Sequence, residues 1–351
     1  MNSAIMTIQS INYGNRLQNY ALQTVLSGLN NNVESLRRGY SFNGPLKSRL
    51  RAVKHQFGRV KHRNDSIGAF DRFDRENIIF SSSTVSKEYV SNDLSKYDLF
   101  VIGSDQVWNP DFDFNSELEY LPMVPNHKKI AYAASFGISE ITVNRCRTAE
   151  LLNDIPFISV REYAGAQIVK DLTGRDVPVV LDPTMLLTAS DWSKVAKKPK
   201  EINCDAPFVF KYVLGNDVNE AKIQKLADYH GLAIVDVMDE SLVLGPAEFV
   251  WLAAHGELVC TDSFHASVFA LLHHKPLAIF ERVSSDADMS SRFDALCTSF
   301  GLVGHRSSED IFSEGTIFGT DWDDFESRLT LLREDSLNWL KNSMSKVETR
   351  G

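Results

Sequence analysis

The sequence predicts a protein of two α/β domains, each built on a parallel sheet, with one cleft between them. Three observations carry this. At 351 residues the chain is longer than one typical core supports. Continuous apolar runs alternate with helical stretches along nearly its whole length, as expected of strands buried on both faces. The stretch 188–207 turns polar, with Lys194, Lys197, Lys198 and Lys200 beside Pro199 and Pro207, and divides one alternating series from a second.

The first series opens with an apolar run at Ile5–Ile8, a polar turn at Asn12-Tyr13-Gly14-Asn15, and a helical pattern over Leu17–Leu29. Leu46, Leu50, Val53, Phe57 and Val60 then recur every three or four residues, which is the spacing of an amphipathic helix. Phe70 and Phe73 anchor a further helical segment. Leu99–Ile102, Ile130–Ala134, Phe157–Val160 and Val177–Leu181 read as strands, with a helix over Tyr163–Leu172. The second series runs strand Phe208–Leu214, helix Val218–His230, strand Ala233–Val237, helix Pro246–Ala254, strand Leu258–Cys260, a helix after Ser263, and strand Leu277–Phe280. A long helix follows over Trp322–Met344. The resulting division is a first domain over 1–187 with a basic helical insertion near 45–63, a linker over 188–207, a second domain over 208–321, and a C-terminal helix over 322–351.

Composition narrows the class. Hydrophobic residues at 43% and charged residues at 24% are ordinary for a globular protein. The four cysteines form no Cys-x-x-Cys pair, which argues against a zinc ribbon or a disulfide framework and fits a reducing cytoplasm. No apolar run approaches the ~20 residues needed to cross a bilayer, and Met1–Ser10 lacks a signal-peptide pattern. A cytoplasmic protein is expected. Within a formal net charge of −9, the window Arg37–Arg63 holds nine Lys or Arg and no acidic residue. Its basic face would either meet anionic headgroups or a polyanionic acceptor, or lie solvated while its apolar stripe packs on the domain. Nucleic acid is not the expected partner, since no aromatic interleaving or binding motif accompanies the charge.

The stretch Leu258-Val259-Cys260-Thr261-Asp262-Ser263-Phe264-His265 carries the most chemistry. A strand ending at a helix N-terminus offers free N–H groups and a positive dipole end to an anion. An imidazole beside such a site can pass protons near neutral pH. His265 is therefore the leading candidate acid or base, against the simpler reading of a packed histidine, and Thr261, Asp262 or Ser263 could cap the helix. His273 and His274, before Lys275-Pro276, read as cations terminating that helix. The same grammar recurs in Gly103-Ser104-Asp105-Gln106-Val107-Trp108-Asn109. There Asp105 could accept a proton from a sugar hydroxyl, hold a histidine, or serve the turn, and Trp108 could stack on a sugar or fill the core. Arg161, at a strand end, could bind an anion bidentately or pair with Glu162 or Asp182. Asp182 itself reads as structural, closing a turn. Arg292 is a further anion candidate, and Lys211, lying in an apolar run, needs a partner. The Gly-x-x-x-x-Gly-Lys-Ser/Thr, His-Glu-x-x-His, Gly-x-Ser-x-Gly and Gly-x-Gly-x-x-Gly motifs are all missing, so no nicotinamide, flavin or metal centre is expected.

Taken together, five segments resemble the polysaccharide pyruvyl transferase family. They are Asn12-Tyr13-Gly14-Asn15 with Leu17-Gln18 and Tyr20-Ala21-Leu22-Gln23, Val101–Asn109, Ala134-Ser135-Phe136-Gly137, Ser159-Val160-Arg161-Glu162 with Asp182-Pro183-Thr184, and Thr261–Ala266. The resemblance implies two Rossmann-like domains in a GT-B-like arrangement, and transfer of pyruvate from phosphoenolpyruvate onto two hydroxyls of one sugar. It implies no cofactor beyond that donor substrate. His265 and Asp105 would be catalytic. Arg161, Ser263, Asp262, Phe264, Arg292 and Lys211 would bind the donor. Asn15, Gly14, Gly103, Ser104, Gln106 and Trp108 would bind the acceptor. That acceptor would be a sugar or lipid-linked oligosaccharide of capsule, exopolysaccharide or cell-wall glycan synthesis, with peripheral contact at the inner face of an anionic membrane through the basic segment. Members of the family often carry arginine two residues before the histidine, where this chain has Ser263. The alternatives are a GT-B-type glycosyltransferase using a nucleotide-sugar and a non-catalytic glycan-binding relative.

Overall fold

A computed structural model describes residues 1–29, 32–39, 64–86, 92–112, 115–200, 202, 206–215, 219–282, 290–310 and 312–349. The amphipathic basic segment expected near 45–63 lies outside them. In chain order the strands are β1 (Asn2–Met6), β2 (Asn32–Arg38), β3 (Phe80–Val85), β4 (Leu99–Ile102), β5 (Lys129–Ala134), β6 (Phe157–Val160), β7 (Phe208–Tyr212), β8 (Ala233–Asp236), β9 (Leu258–Thr261) and β10 (Leu277–Ile279). The helices are α1 (Tyr13–Gly28), α2 (Asn64–Asn77), α3 (Arg145–Asn153), α4 (Tyr163–Thr173), α5 (Ala189–Ser193), α6 (Glu220–His230), α7 (Pro246–His255), α8 (Phe264–Leu272), α9 (Ser290–Phe300), α10 (Glu314–Phe318) and α11 (Trp322–Glu348). Among the described residues, no helix is long and apolar enough to cross a membrane.

The described residues of Met1–Arg59, Asp74–Leu186 and Leu331–Gly351 form one compact unit, and those of Val60–Phe73 and Leu187–Thr330 form the other. The first unit carries a parallel sheet of order β3-β2-β1-β4-β5-β6. This is the strand order of a dinucleotide-binding fold, whose direction reverses between β1 and β4. The reason these residues form central strands is their all-round apolarity: Ala4, Ile5, Met6, Phe100, Val101 and Ile102 are all inaccessible or nearly so. Each such side chain stabilises the unit by roughly 1.5–3 kcal/mol when it is a Val, Leu, Ile, Met or Phe. The second unit carries a parallel sheet of order β10-β9-β7-β8, reversing between β7 and β9. Val209, Leu258, Cys260, Ala278 and Phe280 form its core. The fold class is thus the expected one: α/β, with two parallel sheets in two domains.

Three local expectations change, and two strands appear that were not expected. The run Val177–Leu181 does not form a strand; it makes a single bridge, Val160↔Val179. Pro178 has no N–H to donate, so only its carbonyl and the Val180 N–H pair with Val160 before Pro183 turns the chain. β2 and β3 have sequences Asn-Val-Glu-Ser-Leu-Arg-Arg and Phe-Ser-Ser-Ser-Thr-Val, too polar to read as buried strands, and form by pairing outward from β1. The polar stretch expected as a linker begins with α5, closed by a reciprocal Thr188–Asp191 capping box. Its Trp192 is fully buried and packs edge-on against Phe269, 4.8 Å between centroids. The C-terminal helix also runs past Met344, to Glu348.

Candidate functional site

In open parallel sheets, ligands bind beyond the carboxyl ends of the strands at the point where strand order reverses. In the first unit that point lies between the loops following β1 and β4. Asn12 caps α1 by accepting the Asn15 N–H (3.3 Å), which sets Gly14 and Asn15 in the first turn. Asn15 Nδ2 donates to Asp105 Oδ2, and Ser10 Oγ donates to Asn15 Oδ1. Gln18 ties the two loops, donating to Thr7 Oγ1 (2.7 Å) and accepting from the Ser104 N–H (3.1 Å). Gly103 lies at φ 115°, and a Cβ there would stand 2.4 Å from the Tyr132 carbonyl, so the chain passes this close to β5 only with glycine.

Arg161 completes this network from the end of β6. Its Nη2 donates to Asp105 Oδ1 (2.6 Å) and its Nη1 to Asp182 Oδ2 (2.7 Å), with a side chain only 1% exposed. Burial disfavours its charge, yet Asp105, Asp182 and Glu162 outweigh burial and hold its pKa above the ordinary arginine value. Asp182 also accepts from Ser104 Oγ (3.2 Å) and from the Thr184 N–H (3.0 Å). Three of the expected site residues find their partners here. The Arg161 guanidinium is held by two carboxylates, and the pairing with Asp182 is one of the alternatives left open for it in the sequence. Asp105 is not a free base, because Arg161, Asn15 and the Gln106 N–H (2.9 Å) occupy both of its oxygens. Trp108 is core, 2% exposed and stacked on Tyr120 at 5.2 Å, so it presents no face to a sugar. Gln106 turns its side-chain carbonyl to Asn109 Nδ2 (2.7 Å).

In the second unit the reversal lies between the loops following β7 and β9. Thr261 Oγ1 donates to the Tyr212 carbonyl (2.5 Å) and accepts the Ser263 N–H (3.0 Å), which fixes where α8 begins. Ser263 is the N-cap residue, but its hydroxyl makes no capping bond. Phe264 and His265 occupy the first two helical positions, and the Phe264 ring meets the His265 imidazole edge-on at 5.4 Å. His265 is 7% and Ser263 9% exposed. Asp262 is not positioned to touch an anionic donor. Its carboxylate accepts the Leu214 N–H (2.8 Å) and Gly215 N–H (2.7 Å) and pairs with Arg282 Nε (3.1 Å). Lys211 finds its partners in the protein, as an ion pair to Asp236 (2.9 Å) and a second to Glu220. Burial lowers its pKa, and those two carboxylates more than reverse the effect. These are the partners its apolar surroundings require. Arg292 is buried in the first turn of α9, 4% exposed.

The family model for polysaccharide pyruvyl transferase matches residues 12–284 of this chain. This chain belongs to the polysaccharide pyruvyl transferase family. No curated protein matches the transferase. Among solved structures it is similar to a UDP-N-acetylglucosamine 2-epimerase from Rickettsia bellii, at 12% identity over 99% of this chain and 97% of that one, TM-score 0.48. It is also similar to an Anabaena protein, HepE, in complex with UDP and glucose, at 11% identity over 97% and 100%, TM-score 0.45. A third is the Acinetobacter baumannii MurG, at 10% identity over 99% and 98%, TM-score 0.37. These likenesses carry no argument about activity.

The structure therefore gathers the residues expected at the site of the transferase into two groups, one per unit. Gly14, Asn15, Gly103, Ser104, Asp105, Gln106 and Arg161 converge in the first, and Asp262, Ser263, Phe264 and His265 follow β9 in the second. Sequence reasoning missed Arg282 and the joining role of Gln18. Arg282 stands after an apolar run on the same rim as Asp262, and a search for cations at strand ends would have found it.

Proposed function

We propose that this transferase moves pyruvate from phosphoenolpyruvate onto two hydroxyls of one sugar, forming a cyclic ketal. The family match over residues 12–284 carries this reading. His265, at the opening of α8 beyond the end of β9, is its acid–base residue. The Phe264 and His265 N–H groups and the Ser263 hydroxyl bind the donor's anionic groups, as helix N-termini do. His265 donates a proton to the enol methylene carbon, which becomes the methyl group. A sugar hydroxyl oxygen bonds to the adjacent carbon, phosphate leaves that carbon with the bonding electrons, and the second hydroxyl oxygen takes its place. One hydroxyl proton restores His265 and the other leaves with phosphate, so the products are ketal and inorganic phosphate. The acceptor is a sugar of an envelope glycan or its lipid-linked precursor, and the reaction is assigned to the cytoplasm.

Incubation of the purified protein with phosphoenolpyruvate and candidate glycans tests this. Phosphate release dependent on acceptor, with a new ketal methyl signal by NMR, is expected. Turnover of a nucleotide-sugar without phosphate release from phosphoenolpyruvate would establish the glycosyltransferase alternative. Glycan binding with neither reaction would establish a non-catalytic relative.

A further inference from the structure

Three adjacent strands of the second sheet, β10, β9 and β7, are fastened at their carboxyl ends by a single carboxylate. Asp262 Oδ1 accepts the Leu214 N–H at 2.8 Å and Arg282 Nη2 at 3.3 Å. Its Oδ2 accepts the Gly215 N–H at 2.7 Å and Arg282 Nε at 3.1 Å, and Arg282 Nη2 also holds the Asp262 carbonyl at 3.2 Å. Asp262 is 1% exposed with both oxygens doubly engaged, so it is committed to the protein. Gly215 makes room for the pair: a Cβ there would lie 3.0 Å from Arg282 Cγ and 3.1 Å from Asp262 Oδ2.

A lone carboxylate immediately before Ser263 and His265 would repel an anion. Pairing with Arg282 cancels that charge and leaves a guanidinium in its place. Among the described residues Arg282 Nη1 donates to no group, and the side chain keeps 20% of its surface exposed. A guanidinium fixed through Nε and Nη2 retains the directional N–H donors of Nη1, which suit an oxygen of phosphate or carboxylate.

We propose that Arg282 binds an anionic group of the donor and that Asp262 is the positioning residue that aims it. This rests on phosphoenolpyruvate being the donor. Arg282 thereby supplies, from the neighbouring strand end, the cation that neither Arg161 nor Lys211 offers.

The test measures phosphoenolpyruvate binding by calorimetry without acceptor, alongside steady-state kinetics, for the wild type, Arg282→Met, Arg282→Lys and Asp262→Asn. Loss of one charge-assisted contact is expected to weaken phosphoenolpyruvate binding and raise its KM roughly 10-fold to 100-fold in Arg282→Met, with kcat nearly unchanged. Arg282→Lys keeps the charge without the fork, so a KM rise of several-fold is expected even if the methionine variant folds poorly. Asp262→Asn is expected to raise KM in the same direction through its effect on Arg282. If wild type binds phosphoenolpyruvate and the Arg282 variants bind it equally well, or lose kcat and melting temperature together at constant KM, the pair is only a brace and the proposal is overturned. Failure of the wild type to bind phosphoenolpyruvate would overturn the donor reading and this inference with it.

Discussion

Arg161 Nη2 lies 2.6 Å from Asp105 Oδ1, and both side chains are almost wholly inaccessible. A second carboxylate, Asp182, meets Nη1 of the same guanidinium at 2.7 Å. The pairing converts two residues with the look of a catalytic acid–base site into an internal strut joining the ends of β4 and β6. Removing the cation while keeping the carboxylates leaves buried negative charge unpaired. Arg161→Met should therefore destabilise the first unit by about 3–5 kcal/mol, read as a lowered urea midpoint. A variant of unchanged stability that bound phosphoenolpyruvate more weakly would return Arg161 to the donor.

His265→Gln keeps much of the side-chain volume and removes the proton-transferring ring. With His265 as general acid, kcat should fall by roughly 10²–10⁴-fold, while the circular dichroism spectrum and melting temperature stay close to wild type. Activity within about tenfold of wild type would exclude the proton-transfer role.

The β9–α8 junction was legible because its signals are local: an apolar run, then capping residues, then a helical pattern in which His265 falls at the second position. The fates of Arg161 and Asp105 were not. Their bond joins residues 56 apart in sequence and the bond to Asp182 spans 21, so it exists only once β4 and β6 stand in one sheet. Lys211 followed the same rule, since its need for a partner was plain from its apolar neighbours but the partner, Asp236, is its register mate on β8. β2 and β3 escaped notice because pairing, of β2 with β1 and of β3 with β2, makes them strands and not their own apolarity.

The end of α8 supplies a pH test. His273, read from sequence as a cation terminating the helix, instead has its pKa pushed down to about 4 by loss of solvent, with Lys275, His255 and His274 adding repulsion. Above pH ~6.5 the ring is neutral both folded and unfolded and contributes nothing to the pH dependence. Between about 6.5 and 4 the unfolded chain takes up a proton that the folded one refuses, so stability falls as pH falls. The loss attributable to this ring is complete near pH 4 and amounts to at most about 3 kcal/mol. Urea midpoints measured from pH 7 to pH 4 should show a slope that His273→Gln flattens; identical slopes would place the proton uptake elsewhere.

Ser263 separates a capping role from a binding one. Serine at an N-cap usually contributes about 1 kcal/mol through a bond from its hydroxyl to the backbone. Here no such bond forms: the Ser263 hydroxyl accepts no N–H of the first turn, and the Ser263 N–H itself goes to Thr261 Oγ1. Ser263→Ala should therefore cost less than about 0.5 kcal/mol in urea unfolding. If the hydroxyl reaches the donor, the same variant should raise the phosphoenolpyruvate KM several-fold. A stability loss of a full N-cap with unchanged KM would make Ser263 an ordinary cap and leave the donor to the backbone N–H groups of Phe264 and His265.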